Sequence, residues 1–417
     1  MFSEKDFINL IRQNGGRVFL VGGCVRDEFL GKIPHDKDYV VTGLSEEKLS
    51  SLFSNAKKTG GKFPVFRIYM DGGSVEVALA RCEKKTGSGY RGFDSFFSPK
   101  VTIEEDLYRR DTTMNSIAKE LPFGNIIDPY NGVQDIKNGV IRATSKHFFE
   151  DPVRSLRAAR QAAEHNFTIE ENTLSMMKKC REELKNEPTE RFFAEMEKAL
   201  KGKKPSIFFE IMEKTDLLDV TFKEIFDLIG KTQPKEFHPE GDAFIHSLIV
   251  LDKVSAKTDS ILARFSALVH DLGKGKTPIE MLPHHYGHEK IGLDALIEWD
   301  AKMTLPHKWK NAAAFVIKEH MRTPRITKIG KIVTLLMSIE KSFLSVEEFS
   351  YIIEADSGKV LPFLKYGKEL IAEMKKISGK NAPQNLNGIE IKNWIHSERI
   401  KVYRRFFILQ SREKSVL

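Results

Sequence analysis

The chain changes character at about Phe148, and this change constrains its fold more than any other feature. Before that point, short apolar runs such as VFLVGG, KDYVV, VFRIYM and SVEVALA are separated by glycine-bearing turns and short helical stretches. After it, apolar residues recur at spacings of three and four in almost every segment. The first pattern is typical of strands and the second of amphipathic helices. The sequence therefore predicts an α+β domain followed by all-helical domains.

We predict four segments along the chain. Residues 1–142 form a mixed-sheet head, 143–228 a helical neck and body, 229–360 a second functional domain, and 361–417 a helical tail. The third segment stands out because eight of the twelve histidines lie between His238 and His320. That clustering indicates a second site, separate from any site in the head.

Composition limits the class of partner. The 417 residues carry a formal charge of +8, which suits a polyanion such as RNA but by itself also fits a solvated basic surface. Three widely spaced cysteines form no CxxC pair, so we expect neither disulfides nor a thiolate zinc site, and a cytoplasmic setting. The absence of a long apolar run argues against secretion and against a membrane partner.

A glycine pair and two carboxylates mark the first candidate site. Gly22 and Gly23 follow an apolar run and precede a helical one, so their amides could approach a phosphate, although a plain tight turn fits equally well. Asp36 and Asp38 are two residues apart at the start of a predicted strand, where side chains at i and i+2 point the same way, so both carboxylates should face one side. Such ligands suit Mg²⁺. Glu76, in a predicted neighbouring strand, is the candidate third carboxylate.

Asp151 and Arg154 form a second pattern in this half of the chain. They are three residues apart, so we predict that they share one helix face. A carboxylate acceptor beside a guanidinium donor then matches the amino donor and ring-nitrogen acceptor of cytosine and adenine, and mismatches guanine and uracil. The alternative is structural. Asp151 before Pro152 is also a good helix N-cap, and the arginines that follow could form a solvated face.

These segments together resemble class II tRNA nucleotidyltransferases, within the polymerase-β-like superfamily. LVGGCVRDEFLG with DKDYVV resembles the first motif of that family, RRDTTMN at 109–115 the second, DPYNGVQD at 128–135 the turn that follows, and EDPVR at 150–154 the nucleobase-selecting motif. The glycine-rich stretch 86–93 falls where the family keeps a flexible loop needed for the switch to ATP. Thr189, Glu190, Arg191 and Glu195 resemble a bracing helical motif.

The resemblance implies a polymerase-β-like nucleotidyltransferase head with Mg²⁺ held by Asp36 and Asp38, Glu76 completing the catalytic carboxylates, and addition of C, C and A to tRNA from CTP and ATP. It assigns nucleotide binding to Gly22, Gly23, Arg26, Arg110, Asp111, Asn115, Asp151, Arg154, Arg157 and Arg160.

The histidine-rich segment resembles an HD domain, the module that the HD-bearing bacterial branch of this family carries. His270 and Asp271 form the His-Asp dipeptide of such a domain. They lie downstream of His246 and upstream of Asp356. Imidazole and carboxylate ligands suit a divalent metal. The resemblance implies Mg²⁺, Ni²⁺ or Mn²⁺ at these four residues, with phosphatase, 2′-nucleotidase and 2′,3′-cyclic phosphodiesterase activities. Further candidate ligands or phosphate contacts are His285, His288 and His320.

Several alternatives stay open at this point. A bacterial poly(A) polymerase resembles the same N-terminal half, although the histidine-rich segment and the lack of a long basic C-terminal extension argue against it. The enzyme could add only C or only A. It could instead act mainly as an HD phosphohydrolase, or only bind RNA. Either a monomer or a homodimer is compatible with the sequence.

Overall fold

The computed structural model describes residues 2–34, 36–53, 56–59, 65–71, 73–85, 87, 93–236 and 238–413. The chain divides into two compact units: the first holds residues 1–202 and 207–221, and the second holds residues 203–206 and 222–417. The predicted head and most of the predicted body fall in the first unit, whereas residues 203–206 and 222–228 of that body, the histidine-rich segment and the tail fall in the second. The finer division into four segments stays a prediction.

Strands occur only in the first unit, among the described residues. They are β1 (Arg17–Val21), β2 (Asp38–Thr42), β3 (Lys57–Thr59), β4 (Val65–Met70), β5 (Gly73–Leu79), β6 (Arg81–Lys85), β7 (Phe93–Phe97), β8 (Ala118–Leu121), β9 (Ile126–Ile127), β10 (Val140–Ile141) and β11 (Thr168–Ile169). Seven of them form one sheet in the order β3-β4-β5-β2-β1-β8-β9. Within this sheet β2 and β5 are parallel, and every other pair of neighbouring strands is antiparallel. The remaining strands form two small pairs, β6–β7 and β10–β11.

Burial follows the alternation that predicted these strands. Phe19, Val21 and Val40 are buried in the sheet and pack with Ile103 and Leu107 into one core cluster. The helices up to residue 221 are α1 (Glu4–Gln13), α2 (Gly23–Phe29), α3 (Glu46–Leu52), α4 (Ile103–Tyr108), α5 (Gly132–Asn138), α6 (Arg154–His165), α7 (Glu171–Lys179), α8 (Arg181–Leu184), α9 (Thr189–Leu200), α10 (Ser206–Lys214) and α11 (Leu218–Thr221). The expected mixed-sheet head and helical body are therefore confirmed.

The second unit is helical throughout its described residues. Its helices are α12 (Lys223–Phe226), α13 (Ala243–Ser255), α14 (Ile261–Val269), α15 (His288–Met303), α16 (His307–Glu319), α17 (Ile329–Ile339), α18 (Val346–Ser357), α19 (Pro362–Lys365), α20 (Gly367–Lys375) and α21 (Gly388–Glu413). A core cluster of mainly aliphatic side chains with Phe349 and Phe363 joins α13, α14, α16, α17, α18, α19 and α20. Buried apolar stripes at helical spacing thus hold this unit together.

Three further predictions concern the cysteines, membrane-spanning helices and one loop. All three cysteines are free thiols, as expected. No helix in the part of the chain that the structure describes is long and apolar enough to cross a membrane. The predicted flexible loop at 86–93 lies almost entirely outside the described residues.

Candidate active site and metal centre

The glycine pair forms the turn between β1 and α2. Gly22 has a φ of +72°, a backbone conformation that glycine adopts without strain, and a Cβ there would lie 3.2 Å from Arg110 Nη1. One turn along α2, Arg26 donates a hydrogen bond of 3.0 Å to Asn115 Oδ1. The turn thus leaves room for backbone amides and arginine side chains to face the same space.

The three predicted carboxylates line one cavity beside strands β2 and β5. Asp38 is the first residue of β2 and pairs in register with Glu76 across the parallel strands. The prediction that Asp36 also lies on the strand is wrong, because β2 begins two residues later, yet Asp36 and Asp38 line the same cavities. Enclosure raises the pKa of Asp38 above its ordinary value, Arg110 opposes the rise, and Glu76 and Asp36 add to it. A cation would relieve this crowding of negative charge, so the donor set fits Mg²⁺.

An arginine-rich cavity of about 820 Å³ lies beside these carboxylates. Its lining includes the glycine turn, both aspartates and a wall of cations, namely Gly22, Gly23, Arg26, Asp36, Asp38, Arg109, Arg110, Arg154, Arg157, Arg160, Arg191 and Lys198. A polyanion such as a triphosphate is the ligand that this charge pattern favours.

Buried carboxylates anchor the arginine wall from behind. Asp106, which is fully buried, pairs with Arg109 at 2.8 Å and with Arg110 at 3.0 Å. Burial alone would raise the pKa of Asp106, but the two guanidinium groups outweigh it and lower that pKa to about 2. Glu83 pairs with Arg109 at 3.0 Å and lies 3.7 Å from Arg154. The arginines are therefore held in place before any ligand arrives.

Asp111 belongs to this anchoring layer. Its Oδ2 lies 2.8 Å from Arg157 Nη2 and accepts a bond of 3.2 Å from Gln161, while Oδ1 accepts from Asn115 at 3.1 Å. Burial would raise the pKa of Asp111, but Arg157, the hydrogen bond from Asn115 and Arg154 hold it far below its ordinary value. Both oxygens are thus engaged within the protein. Asp111 therefore lines the cavity with its carboxylate bonded to neighbouring side chains.

Asp151 and Arg154 do not share a helix face. Helix α6 begins at Arg154, and Asp151 precedes it in extended backbone at the end of a short 3₁₀ helix, so the predicted spacing argument is wrong. Asp151 instead pairs with Arg191 at 2.8 Å. Arg154 donates to the carbonyl of His147. Both side chains still line the arginine-rich cavity.

Arg160 is tied into the helical body. It pairs with Glu195 at 2.5 Å and with Glu164 at 2.6 Å and is 8% exposed. Arg191 and Glu195, on α9, therefore hold both sides of the predicted base-selecting region. Burial lowers the pKa of Arg160 and these two carboxylates raise it. The net effect is a rise.

In the second unit, six predicted ligand residues converge from separate helices. His246 lies within α13, His270 at the end of α14, His288 at the start of α15, His320 at the end of α16 and Asp356 near the end of α18. Asp271, directly after His270, stands at their centre. The structure thus brings together residues that are up to 110 positions apart in the chain.

Main-chain carbonyls fix the tautomers of three of these histidines. The Nδ1 atoms of His270, His288 and His320 donate to the carbonyls of Ala267 at 2.7 Å, His285 at 2.8 Å and Ile317 at 3.0 Å. A carbonyl only accepts, so each neutral ring presents an Nε2 lone pair to the cluster.

Asp271 is shared between two groups of imidazoles. Its Oδ2 lies 3.2 Å from His270 Nε2 and 3.9 Å from His246 Nε2. Its Oδ1 lies 3.3 Å from His288 Nε2 and 3.4 Å from His320 Nε2. These last two ring nitrogens are only 3.3 Å apart. Lone pairs that face each other at such distances repel, and positive charge between them would relieve the repulsion.

The centre fits divalent cations by its donor atoms and by its unmet polar groups. His270 Nε2 and Asp271 Oδ1 are buried without a hydrogen bond. Burial would lower the pKa of His270, but Asp271 and Asp356 outweigh it and raise that pKa to about 10. The site thus attracts positive charge, which metal ions would supply. Lys274 Nζ lies 2.6 Å from Asp271 Oδ2 and donates to Gln233 Oε1 at 2.5 Å.

Two residues near the cluster depart from expectation. His285 does not join it, because its Nδ1 meets the Thr277 hydroxyl at 2.8 Å and its Nε2 meets the Thr232 carbonyl at 3.0 Å. Glu240, which sequence patterns did not single out, accepts from His246 Nδ1 at 2.5 Å.

Comparisons with known proteins agree with this geometry. The family description "Poly A polymerase head domain" matches residues 18–142, and "Probable RNA and SrmB- binding site of polymerase A" matches residues 166–229. A protein of Paraburkholderia phymatum named multifunctional CCA protein is 36% identical over 405 residues, covering 92% of this chain and 96% of the relative. The chain belongs to the multifunctional CCA protein family. A relative of the same name from Mannheimia succiniciproducens is 41% identical over 314 residues, covering 73% of this chain and 74% of its own.

Solved structures share the fold of this multifunctional CCA protein family member. The CCA-adding enzyme of Bacillus stearothermophilus, solved in complex with CTP, matches with a TM-score of 0.64 at 22% identity and covers 95% of this chain and 90% of its own. A structure described as a tRNA-processing enzyme in apo form I matches with a TM-score of 0.63 at 20% identity, covering 95% of this chain and 96% of its own.

Several residues of this multifunctional CCA protein family member escaped sequence reasoning. Asp106 and Glu83 precede the arginine motif and carry no pattern of their own. Lys274 follows the His270–Asp271 dipeptide by three residues, a helical spacing that could have indicated contact with Asp271.

Proposed function

We propose that the first unit adds C, C and A in order to the 3′ end of tRNA, using CTP and ATP. The observation that carries the proposal is the meeting of Asp36 and Asp38 with an anchored arginine wall in one cavity. Membership of the multifunctional CCA protein family supports the choice of substrate. The three free cysteines and the use of these substrates support a cytoplasmic location.

In the proposed reaction the 3′ hydroxyl oxygen of tRNA forms a bond to the α-phosphorus of the nucleotide. The bond from that phosphorus to its bridging oxygen breaks, the hydroxyl proton passes to solvent, and pyrophosphate leaves. Arg110 and Arg157 offset the negative charge that develops on the phosphates, and their buried partners keep them oriented throughout. Asp36 and Asp38, with Glu76 beside them, would hold Mg²⁺, which when bound clamps a triphosphate and lowers the pKa of an attacking hydroxyl.

Asp151 and Arg154 would select the base without a nucleic-acid template. The ion pair with Arg191 holds Asp151 in place, and the carbonyl of His147 holds Arg154. A carboxylate acceptor and a guanidinium donor so fixed complement the pairing edges of cytosine and adenine.

The test is incorporation of labelled CTP, ATP, GTP and UTP into tRNA lacking its 3′ CCA, with Mg²⁺. Asp36→Asn/Asp38→Asn is compared with Asp216→Asn, an exposed carboxylate paired to Lys178 outside the cavity. We expect ordered addition of C, C and A by the parent and the control, and loss of incorporation in the double variant. Unlimited A addition would identify a poly(A) polymerase, addition of only C or only A a partial enzyme, and no incorporation would overturn the proposal.

We further propose that the second unit hydrolyses phosphoesters with bound divalent ions. The observation that favours this activity is Asp271, whose two oxygens face separate pairs of imidazoles. One ion would be held by His246, His270, Asp271 and Asp356, and another by Asp271, His288 and His320. Mg²⁺, Ni²⁺ or Mn²⁺ at these positions would supply a water activated for attack on phosphorus.

Candidate substrates are 2′-phosphates, 2′,3′-cyclic phosphates and simple phosphomonoesters. Each is assayed with each metal, comparing the parent with Asp271→Asn and with Asp294→Asn, an exposed carboxylate on α15. We expect metal-dependent hydrolysis that only Asp271→Asn removes. Hydrolysis that survives in Asp271→Asn, or none in the parent with any metal, would contradict this proposal.

A further inference from the structure

Five exposed basic side chains line a pocket of about 520 Å³ in the second unit. They are Lys318, Arg322, Arg325, Lys328 and Lys331. Glu289 is the one acidic residue in the lining. We call this feature the basic pocket.

The cations of the basic pocket are largely uncompensated. Arg322 pairs with Glu319, but within the described chain no carboxylate lies within ion-pair distance of Lys318, Arg325, Lys328 or Lys331. Basic residues elsewhere in this unit commonly have partners. The pairs include Lys276–Glu298 at 3.1 Å, Lys310–Asp300 at 2.6 Å and Lys375–Glu340 at 2.5 Å.

The sequence explains this imbalance. Between Glu319 and Glu340 the chain contains no acidic residue, whereas four arginines and lysines of the basic pocket fall in that stretch. Helix α17 begins inside it, and its N-cap residue Lys328 makes no side-chain capping bond. The positive end of the helix therefore adds to the field of the side chains. Repulsion among these cations would be relieved by a bound polyanion.

Two residues of the basic pocket directly follow predicted ligands of the metal centre in the chain. Glu289 follows the ligand residue His288, and Met321 follows His320, and both Glu289 and Met321 line the pocket. The chain therefore passes directly from the half of the centre that contacts Asp271 Oδ1 into the pocket wall. A ligand in the pocket would be close to a substrate at the centre.

We propose that the basic pocket binds backbone phosphates of single-stranded RNA whose 3′ terminus enters the metal centre. This inference rests on the proposed hydrolase activity and deepens it: the substrate is a phosphorylated RNA end, and a free mononucleotide is the poorer substrate. RNA is favoured over an acidic protein because regularly spaced phosphates match several separate cations and because the adjoining centre is suited to phosphoesters.

The test compares two substrates in the full-length protein with the metal found most active. One is an RNA decamer ending in a 2′,3′-cyclic phosphate, and the other is 2′,3′-cyclic AMP. Arg325→Gln/Lys328→Gln/Lys331→Gln removes three pocket charges. Lys365→Gln/Lys368→Gln/Lys380→Gln removes three exposed charges outside the pocket and serves as the matched control.

We expect the pocket variant to raise KM for the decamer about 10- to 100-fold relative to its effect on KM for 2′,3′-cyclic AMP. The slope of log KM against log salt for the decamer should fall by roughly 2, at about 0.7 per lost phosphate contact. The control should leave the ratio of the two KM values unchanged. An unchanged ratio in the pocket variant would overturn the proposal.

A second measurement separates this inference from the hydrolase proposal. If the parent hydrolyses neither substrate, the proposed activity fails, and anisotropy of the labelled decamer then decides on the pocket. Because both triple variants keep the first unit intact, weaker binding by the pocket variant than by the control supports the pocket. Equal RNA binding combined with selective loss of poly-glutamate binding would assign the pocket to an acidic protein and overturn the proposal.

Discussion

Glu240 Oε1 lies 2.5 Å from Nδ1 of His246, so the ring turns its other nitrogen, Nε2, towards Asp356 Oδ1 at 3.1 Å. A carboxylate that accepts from a ligating imidazole fixes the ring and makes it a better donor to a metal. His238 packs edge-on against the same ring with centroids 4.6 Å apart. Among the four histidines of the centre, His246 is the one whose Nδ1 is held by a side chain.

Glu240→Gln should therefore weaken binding of Ni²⁺ or Mn²⁺ about 10- to 100-fold. The amide preserves the size of the side chain but removes the charge that favours a donating Nδ1–H. Isothermal titration of the metal into the full-length protein measures the effect. Glu236→Gln, an exposed neighbour, is the control, and equal affinities in the two variants would refute the assigned role.

Gly273→Ala should destabilise the second unit by about 1–3 kcal/mol or more. A Cβ at this position would lie 2.0 Å from the His288 carbonyl oxygen, so the start of α15 must move and carry a ligand with it. All three tryptophans, Trp299, Trp309 and Trp394, lie in the second unit, and their fluorescence during urea unfolding reports its stability. Gly388→Ala places its methyl group in open space and should leave the unfolding midpoint unchanged.

Arg154→Ala should reduce the preference for CTP over UTP about 10- to 100-fold, which corresponds to the loss of roughly 1–3 kcal/mol of base discrimination. The ratio of kcat/KM for the two nucleotides measures it directly. Arg142→Ala, which breaks an ion pair with Asp135, serves as a control for general loss of stability. A lower rate with an unchanged CTP/UTP ratio would show that Arg154 only contributes to the arginine-rich lining of the cavity.

Asp106 should make the first unit sensitive to acid. Its folded pKa of about 2 lies below the ordinary value of 3.8, so its stabilising effect is complete above about pH 5 and is lost as the pH falls through 4 towards 2. The shift corresponds to about 2 kcal/mol of unfolding free energy. Calorimetric unfolding between pH 2 and 5 should show this loss in the parent, and also in Asp216→Asn.

The matching comparison is Asp106→Asn, which should show a smaller dependence on pH over the same interval. A second measurement covers the case in which Asp106→Asn does not fold. A carbon NMR titration of the parent should then place the Asp106 carboxyl near pH 2, and a value near 4 would contradict the prediction.

Local pattern was enough to predict much of the fold. The strands around VFLVGG, KDYVV, VFRIYM and SVEVALA and the helices from residue 154 onwards lie where alternation and helical spacing indicated, because burial of one face dominates both. The pairing of Asp38 with Glu76 also follows from strand assignment, once β5 lies beside β2. These relationships depend on residues that are close in sequence or on a regular repeat.

Long-range partners were beyond that reasoning. The pairing of Asp151 with Arg191 joins the segment before α6 to α9 through a tertiary contact. Glu240 is one acidic residue among many, and nothing in the sequence pattern distinguished it. His285 illustrates the reverse error. It stands three residues before His288, yet its ring turns towards Thr232 and Thr277, and sequence spacing does not report the direction of a side chain on an irregular loop.

The carbonyl bonds to His270, His288 and His320 make the metal centre robust to mutation in a particular way. A side chain that orients a ligand can be lost by one substitution, whereas a main-chain carbonyl is present whatever amino acid occupies its position. Substitutions around these three rings can change packing but cannot delete their acceptors. Accumulated substitutions should therefore impair the centre first at His246, because its Nδ1 is held by the Glu240 side chain, whereas the other three rings are held by main-chain carbonyls.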